Sequence, residues 1–201
     1  MENKEAIDAL KDIRGMMEKS VKCLSISRLS GIFMGIYAIL GAITVKYLLK
    51  NPFGLIDIEQ QLSIAGVAAL TLILAIATAA FLSERKAKKT GDSIFSRAAR
   101  RVHTNLFICL LPGGILSIAM GISGNTQYIT TIMLCFYGLA LISVSRYTFN
   151  DILYLGCWML FLGMVNSFFT QYSLIFWTLG FGILHISYGV LMYFKYERKA
   201  K

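Results

Sequence analysis

The chain has 201 residues, of which 56% are hydrophobic and 15% are charged. A water-soluble domain carries about 25% charged residues and interrupts its apolar runs with polar positions at helical or strand period. This composition argues against an ordinary soluble domain and indicates an α-helical membrane protein.

Residues 1–27 precede the first apolar run. Ala6, Leu10, Ile13 and Met17 recur at spacings of three and four with charges between them, which predicts a short amphipathic helix. This helix is interpreted either as a docking or dimerising element or as an interfacial lead-in to the membrane. No cleavable signal peptide is recognised, so the first apolar run is expected to be a retained anchor.

Six apolar runs of about 18–22 residues follow, and a bilayer core of ~30 Å needs about 20 helical residues. They run from Leu29 to Leu49, Leu62 to Leu82, Asn105 to Ser123, Tyr128 to Ser145, Ile152 to Phe169 and Ser173 to Phe194. The sequence therefore predicts one all-α bundle of six transmembrane helices over residues 28–195, with a basic tail at 196–201.

Basic residues predict the orientation of this bundle. Of 20 Lys and Arg residues, only Lys46 and Lys50 fall in loops that are predicted on the side of the membrane opposite the N-terminus. The remaining 18 mark the cytoplasmic side by the positive-inside rule. Both termini and the loop at residues 84–104 are therefore predicted to be cytoplasmic.

The loop at 84–104 holds seven basic and two acidic residues. Asp92 or Ser93 is a candidate cap for a helix that leads into the third span. Arg97, Arg100 and Arg101 are candidates for binding anionic lipid headgroups or an acidic partner. The alternative is that they only determine topology. Nucleic-acid binding is not expected, because no folded module accompanies these charges.

Spans three and six share a pattern. Residues 111–121 read LPGGILSIAMG, residues 179–189 read LGFGILHISYG, and six of the eleven positions are identical. Together with a Tyr-x8-basic-Tyr match between spans one and four, this predicts two inverted three-helix repeats, as in many transporters. The alternative is generic packing through small residues, since span one carries part of the same pattern.

Paired helix interruptions in such repeats mark a binding site near the midplane. The candidate substrate or pore residues are Pro112, Gly114, Ser117, Gly182, His185 and Tyr188. His185 is the one ionisable side chain deep within a predicted span, which makes it a functional candidate. The alternative is a neutral core histidine that bonds to a neighbouring helix.

Cofactor and enzyme classes find no support in the sequence. His103 and His185 lie at different predicted depths, which disfavours a shared haem, and no acidic or cysteine cluster accompanies either histidine as a metal site. Neither a GxSxG elbow nor an HExxH motif is present. We therefore expect no catalytic residue, no metal, no cofactor and no enzymatic activity.

The stretch from Gly180 to Glu197, with the charged N-terminal helix, resembles a group of small uncharacterised bacterial inner-membrane proteins that have no known activity. The resemblance implies a bacterial cytoplasmic membrane. It implies no mechanism.

Two functions are compatible with this sequence. The first is a small transporter or permease with its site between spans three and six. The second is a non-transporting scaffold or sensor subunit, acting through the N-terminal helix and the basic loop. A transporter should contain a cavity that reaches His185, whereas a scaffold should be packed there. The expected partners are the bilayer with its anionic headgroups and either a second copy or another membrane protein.

Overall fold

The computed structural model describes residues 29–49, 57–90 and 97–196. Across these ranges every regular element is helical. The helices are α1 (Leu29–Leu48), α2 (Ile58–Thr90), α3 (Arg97–Ile122), α4 (Ile129–Val144), α5 (Asp151–Asn166), α6 (Ser173–Trp177) and α7 (His185–Tyr196). A π-helical segment (Thr178–Leu184) joins α6 to α7, and these three elements together correspond to the predicted sixth span, hereafter the sixth span.

The all-α prediction is confirmed for the described residues. Five of the helical stretches are long and apolar enough to cross a membrane. The helix α5 is also apolar but has only 16 residues. At 1.5 Å per residue it covers about 24 Å, less than a bilayer core of ~30 Å. The fold is thus compatible with a membrane bundle, and the count of six spans stays a prediction.

Large apolar side chains cover the outside of this bundle. On α2, Leu70, Ile73 and Ile76 are 58%, 62% and 60% exposed. Water-soluble monomers rarely expose apolar patches of this extent. Contact with lipid removes the cost of that exposure, which supports a membrane-embedded protein.

The helices pack in a definite order. The helix α2 packs on α1, and α1 packs on the sixth span. The sixth span in turn contacts α4 and α5, and α4 packs on both α5 and α3. The main buried core therefore lies around α4 and α5, with contributions from the start of α3; its members are Ala99, Val102, Leu134, Leu141, Val144, Ile152, Leu155 and Met159.

Glycines permit the closest of these helix contacts. A β-carbon on Gly138 of α4 would lie 2.7 Å from the backbone nitrogen of Leu160 in α5. A β-carbon on Gly156 of α5 would lie 2.8 Å from the carbonyl oxygen of Gly138. Only residues without a side chain allow the two backbones to approach this closely, as is common in membrane bundles.

The predicted basic loop is partly helical. The helix α2 continues past the predicted end at Leu82 to Thr90, and Glu84 and Lys88 form an i,i+4 ion pair of 2.8 Å along it. The helix α3 begins at Arg97, so a helical lead-in to the third span is present. The predicted helix at 1–27, the candidate caps Asp92 and Ser93, and the tail after Tyr196 lie outside the described residues.

Short turns join the last four spans. Gly124 lies in the connection after α3. Its φ of 75° is a backbone conformation that residues with a β-carbon rarely adopt. A 3₁₀ turn, Thr126–Tyr128, then starts the fourth span. A turn of the same sequence, Thr170–Tyr172, starts the sixth span. These two turns contact each other at one end of the bundle.

Candidate functional site

The π-helical segment places His185 at the junction between two parts of the sixth span. The segment contains Gly180 and Gly182, both buried. A π-helical turn inserts one extra residue and widens the helix, and such turns occur often at functional sites. His185 follows as the first residue of α7, where the α-helical pattern resumes.

Both ring nitrogens of His185 have protein partners, and the residue is only 3% exposed. Its Nδ1 lies 3.0 Å from the carbonyl oxygen of Gly180, and its Nε2 lies 3.0 Å from the hydroxyl of Tyr137 on α4. A carbonyl oxygen only accepts, so Nδ1–H donates to Gly180. In the neutral ring Nε2 then accepts the hydroxyl hydrogen of Tyr137.

Aromatic rings surround this pair. The ring of Phe181 lies 5.3 Å from that of Tyr137 and 6.0 Å from that of His185, measured between centroids. Trp177 extends these contacts, with its ring centroid 4.5 Å from that of Phe181 and the two planes tilted by 42°. These contacts occupy the space beside the imidazole with apolar surface, so His185 lies in a packed aromatic cluster.

Close backbone contacts enclose the π-helical segment from two sides. On the α1 side, a β-carbon on Gly35 would lie 2.6 Å from the carbonyl oxygen of Gly182. On the α4 side, a β-carbon on Gly180 would lie 2.5 Å from a methyl of Leu134. The segment is therefore held between α1 and α4, and its glycines make this fit possible.

The structure brings together only some of the predicted site residues. Gly182 and His185 lie in the packed cluster, whereas Pro112 and Gly114 of α3 are exposed. The hydroxyl of Ser117 donates to the carbonyl of Gly113 within its own helix at 2.8 Å. Because α3 packs chiefly on α4, a site between spans three and six stays a prediction.

Tyr188, almost one helical turn after His185, lines a groove between α7 and α5. Of the three basic candidates at the start of α3, Arg100 and Arg101 are exposed, and the side chain of Arg97 is outside the described set. Their role toward lipid headgroups stays a prediction. Among the described residues, no group of three or more His, Cys, Asp or Glu side chains is placed to hold a metal ion.

A second buried polar cluster ties three helices together at the end of α5. Asn166 is fully buried, and its amide nitrogen lies 2.8 Å from the hydroxyl of Thr131 on α4. The same nitrogen lies 3.4 Å from the hydroxyl of Ser173 at the start of α6. The hydroxyl oxygen of Ser173 also lies 2.7 Å from the carbonyl oxygen of Thr170 and 3.2 Å from that of Gln127. This cluster therefore links the two 3₁₀ turns.

Sequence reasoning did not find Tyr137 as the partner of His185, although a signal was present. Alignment of Thr126–Tyr128 with Thr170–Tyr172 places Tyr137 level with Phe181, and Gly138 level with Gly182. His185 follows Phe181 by about one helical turn. The repeated turn sequence thus predicts that a tyrosine of the fourth span lies near the depth of His185.

Searches against protein-family models, curated proteins and solved structures find no match to this chain.

Proposed function

We propose that this chain is a non-transporting scaffold or sensor subunit of a membrane. The supporting observation is the environment of His185, the ionisable residue that sequence analysis singled out at membrane depth. A transporter presents such a residue to a substrate or coupling ion. Here the protein itself occupies both nitrogens, and aromatic rings fill the adjoining space.

In this proposal His185 has a structural role. Its two hydrogen bonds join the sixth span to α4 and connect α7 to the π-helical segment. Hydrogen bonds between membrane helices contribute about 0.6 kcal/mol on average and up to about 1.7 kcal/mol. A bonded histidine is therefore a sufficient explanation for a polar residue at this depth.

The functional surface would then be the predicted cytoplasmic face. Arg100 and Arg101 are exposed there, at the start of α3. These charges fit a partner with an acidic surface or anionic headgroups in a bacterial cytoplasmic membrane. The N-terminal helix predicted at 1–27 would add to this face.

A small permease is the second candidate, because two pairs of helix contacts are related as a repeat of three spans would relate them. If each span is matched with the span three positions along the chain, the contact between α1 and α2 corresponds to the contact between α4 and α5. The contact between α1 and the sixth span then corresponds to the contact between α4 and α3. Interrupted helices at repeat interfaces bind substrates in such transporters, and the π-helical segment is one interruption. In this alternative, the Tyr137–His185 bond would be a gate that opens.

Cysteine accessibility separates the two functions without knowledge of a substrate. Leu134 is fully buried against Gly180, so Leu134→Cys places a thiol beside the histidine cluster. The background variant has the four native cysteines replaced by alanine. We expect no reaction with a membrane-impermeant maleimide applied from either side of oriented vesicles.

The matched control is Asn125→Cys, at an exposed position in the turn after α3. It should react from one side only, which also reports the orientation of the bundle. Reaction of Leu134→Cys at a rate within about tenfold of this control would mean that water reaches His185. That result would favour the permease and contradict the scaffold.

A further inference from the structure

An open groove of about 280 Å³ lies on the outside of the bundle between α5 and α7. It is separate from the enclosed histidine cluster. Its walls are mainly apolar and aromatic, and they include Tyr154, Leu155, Trp158, Leu184, Tyr188 and Leu191. Trp158 is 57% exposed, so the groove faces the surroundings of the protein, which in a membrane are lipid.

The length of the groove corresponds to one leaflet of a bilayer. From the end of the π-helical segment through α7, lining residues recur at Leu184, Tyr188, Leu191 and Lys195, along one helix face. Eleven residues at 1.5 Å each cover about 16 Å. That is roughly half of a ~30 Å hydrocarbon core. The groove therefore runs from the predicted cytoplasmic end of α7 to near the midplane.

Among the described residues that line the groove, one cation and one anion stand together at its mouth. Lys195 Nζ lies 2.7 Å from Asp151 Oδ1, and their side chains are 54% and 26% exposed. Asp151 is the first residue of α5, which begins at the same end of the bundle as Lys195 near the end of α7. At the predicted cytoplasmic end of these helices, this ion pair would lie where a lipid headgroup meets the acyl region.

We propose that this groove binds a phospholipid with a zwitterionic primary-amine headgroup, such as phosphatidylethanolamine. One acyl chain lies along the groove, the phosphate contacts the ammonium of Lys195, and the headgroup ammonium donates to the carboxylate of Asp151. The ion pair carries no net charge, so it complements a headgroup that also carries both signs. This inference does not depend on whether the protein is a scaffold or a permease.

Other phospholipids match the mouth less well. An anionic phosphatidylglycerol would pair with Lys195 but meet the negative carboxylate of Asp151. A phosphatidylcholine has the same charges as phosphatidylethanolamine, but its quaternary nitrogen has no hydrogen to donate to that carboxylate. The hydrogen bond that phosphatidylcholine cannot form is to a charged group, so its loss should weaken binding, and the exposure of this pair limits that loss.

Native mass spectrometry of the purified full chain in detergent tests the proposal. Phosphatidylethanolamine, phosphatidylcholine and phosphatidylglycerol with identical acyl chains are titrated separately, and the first bound lipid is quantified. We expect phosphatidylethanolamine to bind about tenfold more tightly than either of the others, which is about 1.4 kcal/mol.

Three variants locate the binding. Asp151→Asn should remove the preference for phosphatidylethanolamine over phosphatidylcholine. Lys195→Gln should weaken the binding of all three lipids. Ser187→Phe places a ring in the groove from α7 and should prevent the first lipid from binding. Thermal midpoints measured without added lipid identify a variant that has failed to fold.

The matched control is the exposed ion pair Glu84–Lys88 on α2, at 2.8 Å, which borders no part of this groove. Glu84→Gln and Lys88→Gln should leave lipid binding unchanged. Equal affinity for the three lipids, or undiminished binding by folded Ser187→Phe, would overturn the proposal. Dimers that exclude lipid and are lost in Ser187→Phe would also overturn it, because a second copy would then cover the groove.

Discussion

The helices α4 and α2 are both apolar enough to cross a membrane, yet they occupy opposite environments. In α4, Leu134 and Ala140 are fully buried, whereas no residue in the apolar stretch of α2 is buried. Hydrophobicity does not draw membrane helices together, because lipid tails are as apolar as leucine. Glycine contacts and polar bonds decide which helices pack, and α4 has both with several neighbours.

The helix α2 is attached mainly through α1. The hydroxyl of Tyr37 lies 3.1 Å from that of Thr78. A β-carbon on Gly41 would lie 2.7 Å from the hydroxyl oxygen of Thr71, so the two helices are also close at that point. By comparison, α4 contacts α3, α5 and the sixth span. Substitutions in α4 should therefore cost much more stability than substitutions in α2.

The largest effect is expected for Gly138→Leu in α4. Its side chain would overlap the backbone of α5, and overpacking of this kind costs about 1–3 kcal/mol or more. The free energy of unfolding in bicelles should fall by about 3 kcal/mol or the protein should not fold. The control is Gly66→Leu in α2, where no atom lies within 4 Å of the added β-carbon, and it should be neutral. Equal losses in both variants would mean that α2 is packed as tightly as α4.

A smaller effect is expected for Asn166→Ala at the end of α5. The change removes the bond to Thr131 and leaves a space in a fully buried site, so we expect a loss of about 1–2 kcal/mol. The control is Asn125→Ala in the exposed turn after α3, measured by the same unfolding assay. Stability unchanged by Asn166→Ala would show that the three-helix cluster contributes little.

A still smaller effect is expected for Thr78→Val in α2. This change removes the hydroxyl that bonds to Tyr37 and preserves the size of the side chain, so the loss should be about 0.6 kcal/mol. Tyr37→Phe should cause a similar loss, and the double variant should lose no more than either single variant. Additive losses would show that the two residues act independently.

The smallest effect is expected for Lys88→Gln. Its partner Glu84 and the lysine itself are both exposed, at 49% and 75% of the side-chain area. Exposed ion pairs contribute about 0–1 kcal/mol and are screened by salt. The free energy of unfolding should change by less than about 0.5 kcal/mol. A larger loss would mean that this end of α2 has a partner beyond α1.

The helices could be predicted from the sequence because long apolar runs are visible without any knowledge of contacts. Two features of the fold could not be predicted in this way. The extension of α2 to Thr90 depends on helix-forming charged residues that hydropathy reads as a loop. The neighbours of each span depend on shape: LPGGILSIAMG and LGFGILHISYG look alike, yet Gly114 is exposed and Gly182 is buried.

The candidate site shows the same limit. His185 could be selected from sequence because an ionisable residue at membrane depth is rare. Its hydrogen bonds to Tyr137 and Gly180 could not be predicted from sequence, because they depend on the π-helical turn and on the approach of α4. The groove at Asp151 and Lys195 joins residues 44 positions apart, which no local pattern connects.

A double-mutant cycle of Tyr137→Phe and His185→Ala tests most directly whether His185 joins the sixth span to α4. In bicelles, His185→Ala should lower the free energy of unfolding by about 2 kcal/mol or more, because it opens a cavity and removes the donor to Gly180. Tyr137→Phe should cost about 0.6 kcal/mol, with a coupling energy between the sites of about 0.6–1.7 kcal/mol. Two single variants as stable as the wild type, with no coupling, would contradict this role and leave His185 free for a substrate.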